Sequence, residues 1–70
     1  MIILGIDPGL ATLGYGVLEK NARGEVRALD YGVVCTPKDE RLPTRLAILE
    51  EGICRLLDKC EPDEVAVEEL

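Results

Sequence analysis

The sequence contains no histidine. Without an imidazole, neither a Ser–His nor a Cys–His nucleophilic pair can be assembled. The three cysteines, Cys35, Cys54 and Cys60, are spaced as neither a Cys-x-x-Cys pair nor a zinc ribbon. They cannot all pair with one another and read as reduced thiols, Cys54 and Cys60 near one helix face, packing as small hydrophobes. Basic residues are scarce: eight Lys plus Arg stand against fourteen Asp plus Glu, a net charge of −6. An acidic chain repels phosphate backbones and lacks the basic stripe of a nucleic-acid binder. Any nucleic-acid role must therefore come from metal ions at a carboxylate site, or from basic segments outside these residues. No apolar run approaches the roughly 20 residues of a membrane helix. No positive n-region precedes Ile2-Ile3-Leu4, so no signal peptide is expected and a cytoplasmic location is.

What remains is a small globular composition. Hydrophobic residues make up 47% of the 70 residues and charged residues 31%. A chain of this length forms one small domain and buries roughly 60% of the surface exposed when unfolded. Met1–Ile6 is almost wholly apolar, as in a strand buried on both faces. Asp7-Pro8-Gly9 stops it, because proline removes a ladder donor and glycine eases the turn. Leu13–Glu19 predicts a second strand, with Leu13, Tyr15 and Val17 on one side and Gly14, Gly16 and Leu18 on the other. The short intervening loop makes an antiparallel hairpin. After the polar turn 20–24, residues 25–36 predict a third strand, with Leu29, Tyr31, Val33 and Cys35 in phase. Tyr15 and Tyr31, the only aromatic residues, could stack on bases. Their phase with apolar neighbours points instead to core or edge packing.

Leu42, Leu46, Leu49, Ile53, Leu56, Leu57 and Cys60 recur at three- and four-residue steps, predicting an amphipathic helix. Pro43 suits its first turn, Glu51–Arg55 is an i,i+4 ion pair in the favoured order, and Pro62 ends it. Gly52, costly inside a helix, marks close contact with the sheet. Residues 64–68 predict a short last strand. The order is β-β-β-α-β. A right-handed crossover makes the last strand parallel to the first, and the apolar first strand requires two neighbours, giving the sheet order 3-2-1-4.

That topology brings Asp7 and Glu68 to one sheet edge, at the carboxyl ends of adjacent parallel strands about 4.8 Å apart. Two carboxylates converging there repel unless a cation lies between them. Mg²⁺ takes oxygen ligands and is held by one or two carboxylates plus water and phosphate, and open α/β sheets carry their sites at this edge. The plainer alternative is that Asp7 forms the turn and Glu68-Glu69 is a solvated strand end. Gly9 could admit a phosphate backbone or serve only the turn.

Gly5-Ile6-Asp7-Pro8-Gly9, Leu13-Gly14-Tyr15-Gly16-Val17, Arg45-Leu46, Pro62 and Ala66-Val67-Glu68 together resemble the N-terminal part of the RuvC family of bacterial Holliday-junction resolvases. The resemblance runs along all 70 residues. It implies an α/β, ribonuclease-H-like fold and a homodimeric endonuclease that hydrolyses four-way junction DNA with Mg²⁺, for which Mn²⁺ can substitute. A complex with a branch-migration helicase is also implied. On the family pattern Asp7 and Glu68 are the first and second catalytic, metal-ligating carboxylates, and Glu69 is not a ligand. The family's domain continues through a further strand, further helices and a last pair of catalytic acidic positions. Residues 1–70 are thus expected to be the N-terminal part of one domain, truncated after its fourth strand and inactive alone.

Other classes share parts of the pattern. Actin-like ATPases and sugar kinases also open with an apolar strand and Gly-Ile-Asp-x-Gly, but usually place Thr or Ser where Leu10 stands. RuvC-like nucleases of ribosomal-RNA processing share the opening motif and match the Gly-Tyr-Gly-Val continuation less closely. A non-enzymatic module would use the open sheet edge as a docking strand.

Overall fold

The structure, a computed structural model, describes residues 1–68. Its elements are β1 (Ile2–Asp7), β2 (Thr12–Lys20), β3 (Val26–Cys35), α1 (Leu42–Cys60) and β4 (Glu64–Val67). They form one four-stranded sheet of order β3-β2-β1-β4. β2 pairs antiparallel with β1 and β3, and β4 pairs parallel with β1. This is the expected topology. β1 reaches one residue further than its apolar run, through Asp7, and β2 gains a residue at each end. The turn joining β2 to β3 is closed by Asn21, whose Oδ1 accepts from the backbone N–H groups of Arg23 and Glu25 at 2.9 and 3.0 Å. Gly24 takes the left-handed conformation there, φ 83°, which costs a residue without Cβ little.

The core lies between the sheet and α1. Leu4 and Ile6 of β1, Leu13 and Val17 of β2, and Leu49 and Leu56 of α1 are buried together. Ile53 and Cys60 pack against them, while Leu42, Leu46 and Leu57 stay exposed. A single helix buries only the side it turns to the sheet. Cys54 is exposed while Cys60 joins the core margin, so the two do not share a face. Six residues of helix turn through about 600°, which leaves them about 120° apart. Gly52 meets β3 as expected: a Cβ there would lie 2.9 Å from Val34 Cγ1. The helix ends at Cys60, and Glu61 takes a left-handed conformation, its N–H donating to Leu57 O at 2.9 Å. Pro62 follows. No helix among the described residues is long and apolar enough to cross a membrane.

β3 departs from its apolar pattern. Leu29, Tyr31 and Val33 are exposed, and Asp30, Gly32, Val34 and Thr36 turn inward instead. The register explains the inversion. Tyr15 packs on the core and stands opposite Gly32. A Cβ on Gly32 would lie 2.7 Å from the Tyr15 hydroxyl, so only glycine fits beneath that ring and the phase of β3 follows from it. A bulge at Val17/Leu18 passes over Leu29. Tyr31, at 82% exposure, therefore lies outside the core, on the uncovered face of an edge strand.

Candidate functional site

Asp7 ends β1 opposite Gly14, and a Cβ on Gly14 would lie 3.8 Å from Asp7 Cβ. On β4, Val67 stands level with Ile6. The backbone N–H of Glu68 then donates to Ile6 O at 3.0 Å, carrying the parallel ladder one residue past the strand. Glu68 thus emerges beside Asp7. Ile6 faces the helix, and side chains alternate along a strand, so both carboxylates leave on the opposite, uncovered face. The same face carries a trough with Gly5, Gly14, Gly16 and Ala66 along its floor and Tyr31 and Val33 on its rim. Both acids are exposed, and neither has an ion-pair or side-chain hydrogen-bond partner among the described residues. Glu69 lies outside the described residues.

Two unpaired carboxylates on neighbouring strands are hard oxygen donors of one sign. They suit a divalent cation that keeps most of its water, and not a metal that needs nitrogen or sulfur ligands. They do not enclose one: among the described residues no three His, Cys, Asp or Glu side chains converge. The donors fit part of such a site.

Gly9 has a structural use. A Cβ there would lie 2.6 Å from Thr12 O, so the loop's own backbone occupies the space. Tyr15 packs against the core, as its phase implied. Leu10 is exposed in the loop after Asp7. One feature of this end escapes sequence patterns. Thr36, buried at the end of β3, donates through its hydroxyl to Leu10 O at 2.7 Å and accepts from Arg45 Nε at 3.0 Å. Its N–H also donates to Ala11 O at 3.0 Å. The loop after Asp7 is thereby tied to the first turns of α1. Neither hydrophobic period nor motif spacing marks a lone threonine for that role.

Residues 3–70 match the family model described as crossover junction endodeoxyribonuclease RuvC. Among curated relatives, the crossover junction endodeoxyribonuclease RuvC of Petrotoga mobilis is 49% identical over 70 residues, which are the whole of this chain and 42% of that protein. The RuvC of Moorella thermoacetica is likewise 49% identical, over the whole chain and 41% of that protein. The chain therefore spans about two fifths of the length of these relatives. A solved structure of T. thermophilus RuvC in complex with a Holliday junction substrate superposes with a TM-score of 0.89. It is 33% identical, with all of this chain and 44% of that one covered. A second Thermus thermophilus RuvC structure gives 0.88 at 35% identity, over 99% and 45%. The β3-β2-β1-β4 sheet with its crossover helix is thus the ribonuclease-H-like arrangement that the motifs implied. With a family match along nearly its whole length and a backbone that superposes on solved relatives, the chain belongs to the RuvC family.

Proposed function

We propose that this chain forms part of a divalent-metal-dependent endonuclease that cuts four-way DNA junctions as a homodimer in the cytoplasm. The observation that supports it best is the pair Asp7 and Glu68, side by side on the uncovered sheet face at the ends of parallel strands. In this reading both are catalytic and hold Mg²⁺, with Mn²⁺ able to substitute. The bound metal supplies activation of water and stabilisation of the leaving oxygen in an in-line displacement. The chain's own residues do the rest. β1 and β4 hold the two carboxylates at fixed separation, and Pro8-Gly9 turns the chain away so that Asp7 stays open. The glycine floor leaves room for a sugar–phosphate backbone or a further protein element. No side chain acts as nucleophile.

Two carboxylates are too few to hold paired metals, so the 70-residue chain alone is inactive. The remaining acidic ligands, most of the DNA-binding surface and any contact with a branch-migration helicase belong to the rest of a longer protein. The net charge of −6 accords with that division, since few phosphates can be neutralised here.

The test is cleavage of a synthetic four-way junction by the full-length protein in Mg²⁺. Asp7→Asn and Glu68→Gln should each abolish cutting while junction binding persists, because removing a carboxylate removes a ligand and lessens repulsion of DNA. Glu69→Gln should remain active. Cleavage by the 70-residue chain, or a Glu69→Gln enzyme as inactive as Glu68→Gln, would sink the assignment. A double variant at Asp7 and Glu68 with every property intact would point to a non-enzymatic module.

A further inference from the structure

Of the eight cationic side chains in the sequence, Arg45 alone is half-buried; the other seven are exposed. Arg23, Arg27, Arg55 and Lys59 pair with carboxylates, whereas Arg45 meets none among the described residues. Charged side chains are seldom even partly buried without a partner, so its position needs a reason. Its Nε donates to Thr36 Oγ1 at 3.0 Å, and Thr36, 6% exposed, is itself fixed by donating to Leu10 O. That single bond orients the planar group and leaves its two terminal nitrogens without acceptors among the described residues. Those nitrogens form the fork that matches the oxygens of a phosphate. Leu10 belongs to the loop that follows Asp7, so Arg45 lies at the sheet end that carries both carboxylates, on the helix side of the sheet while they leave on the other. Lys38 and Arg41, on the connection leading into α1, also pair with no carboxylate among the described residues, although Asp39 and Glu40 lie between them in sequence. The remaining unpaired cation, Lys20, ends β2 at the opposite end of the sheet.

We propose that Arg45, aimed by Thr36, grips a backbone phosphate of the junction strand that passes Asp7 and Glu68. The inference rests on the nuclease reading and adds a positioning residue to it. Chemically the ligand is a phosphodiester, bound through two parallel charge-assisted hydrogen bonds. Arg45 fixes the strand's register and takes no part in bond breaking. It also gives this acidic chain one point of attraction at the sheet end where two carboxylates repel DNA.

The experiment measures junction binding by the full-length protein in Ca²⁺, between 50 and 200 mM KCl, for the unchanged protein, Arg45→Gln and Arg45→Lys. Melting temperatures are recorded alongside. Losing one phosphate contact should make the plot of log affinity against log salt shallower by about 0.9. Arg45→Gln should show that change with an affinity loss of about tenfold, the order expected for one charge-assisted contact. Arg45→Lys keeps the charge without the fork, so its slope should match the unchanged protein while its affinity stays lower. An unchanged slope in a folded Arg45→Gln protein would make Arg45 a tie between loop and helix and overturn the proposal. Full affinity in Arg45→Lys would overturn the forked contact, and that variant decides the matter should Arg45→Gln fail to fold. An unchanged protein that binds no junction would overturn the nuclease reading and this inference with it. Normal binding with a flat response at Arg45 would overturn this inference alone.

Discussion

The two faces of the sheet are built from the same strands and have opposite characters. The face under α1 carries Leu4, Ile6, Leu13 and Val17, closed over by Leu49 and Leu56. The other carries Asp7, Glu68 and a floor of glycine and alanine, with Tyr31 and Val33 in the open. Alternation along each strand separates the two. Stability is concentrated on one face, and the proposed chemistry on the other. A substitution on either face should therefore be silent in the assay that reads the other.

The largest effect should come from the open face. In the full-length protein, Asp7→Asn or Glu68→Gln should lower the junction cleavage rate by at least about 10²–10³, the scale of losing one electrostatic group at the reacting centre. Junction affinity and melting temperature should stay near those of the unchanged protein. A stability loss in step with the activity loss would break the separation. Next come substitutions under the helix. Leu4 and Leu13, the largest fully buried side chains, should each cost about 2–5 kcal/mol when cut to alanine, read by urea unfolding. Tyr31→Ala, on the other face, should stay within about 0.5 kcal/mol. A Tyr31→Ala loss comparable to Leu4→Ala would mean that something in solution covers the open face.

A third effect concerns what the uncovered surfaces do. β4 is an edge strand with Val65 and Val67 exposed, and such edges pair with other chains. Sedimentation of the 70-residue chain at micromolar concentration should show dimers or larger species, and Val67→Lys should shift them toward monomer. The smallest test is at the helix–sheet seam. Gly52→Ala should gain about 1 kcal/mol of helix propensity but drives a methyl against Val34 at 2.9 Å. The net result should be a loss of about 1 kcal/mol, of the order seen when extra methyl groups are forced into a packed site. Val34→Ala in the same chain should recover it. A plain gain from Gly52→Ala would show that the seam can open.

How much of this the sequence disclosed depended on whether the signal was local. Strand order, helix limits, Pro43 in the first turn and the Glu51–Arg55 bond at 2.6 Å all follow from short-range pattern and a chirality rule. The meeting of Asp7 with Glu68 followed from topology, because two parallel neighbours share their carboxyl ends. The phase of β3 was not local. Its apolar residues occupy the outward set, and what turns them out is Tyr15, on another strand, needing a glycine opposite it. The Thr36 tie between Leu10 and Arg45 was hidden for a similar reason: it joins three segments whose proximity is a product of the fold. Cys54 and Cys60 were misplaced through the geometry of helix rotation, which a spacing of six does not satisfy.

The start of β4 has a consequence for the site at its other end. Asp63 Oδ2 accepts from the N–H of Ile2 at 2.6 Å, and the N–H of Asp63 donates to Ile2 O at 2.8 Å. These two bonds pin β4 to β1 at a single point. From that origin each strand advances five residues, Ile2 to Asp7 and Asp63 to Glu68, so the acids arrive level because the two paths are equal in length. The clamp works as the zero mark of a ruler. Adding or deleting one residue between Asp63 and Glu68 would leave the clamp and the pairing of β1 with β2 in place. Since strand side chains alternate, it would nevertheless swing the second carboxylate to the other side of the sheet. The chain thus sets the geometry of an exposed pair of acids by counting residues from a bond at the far end of the sheet.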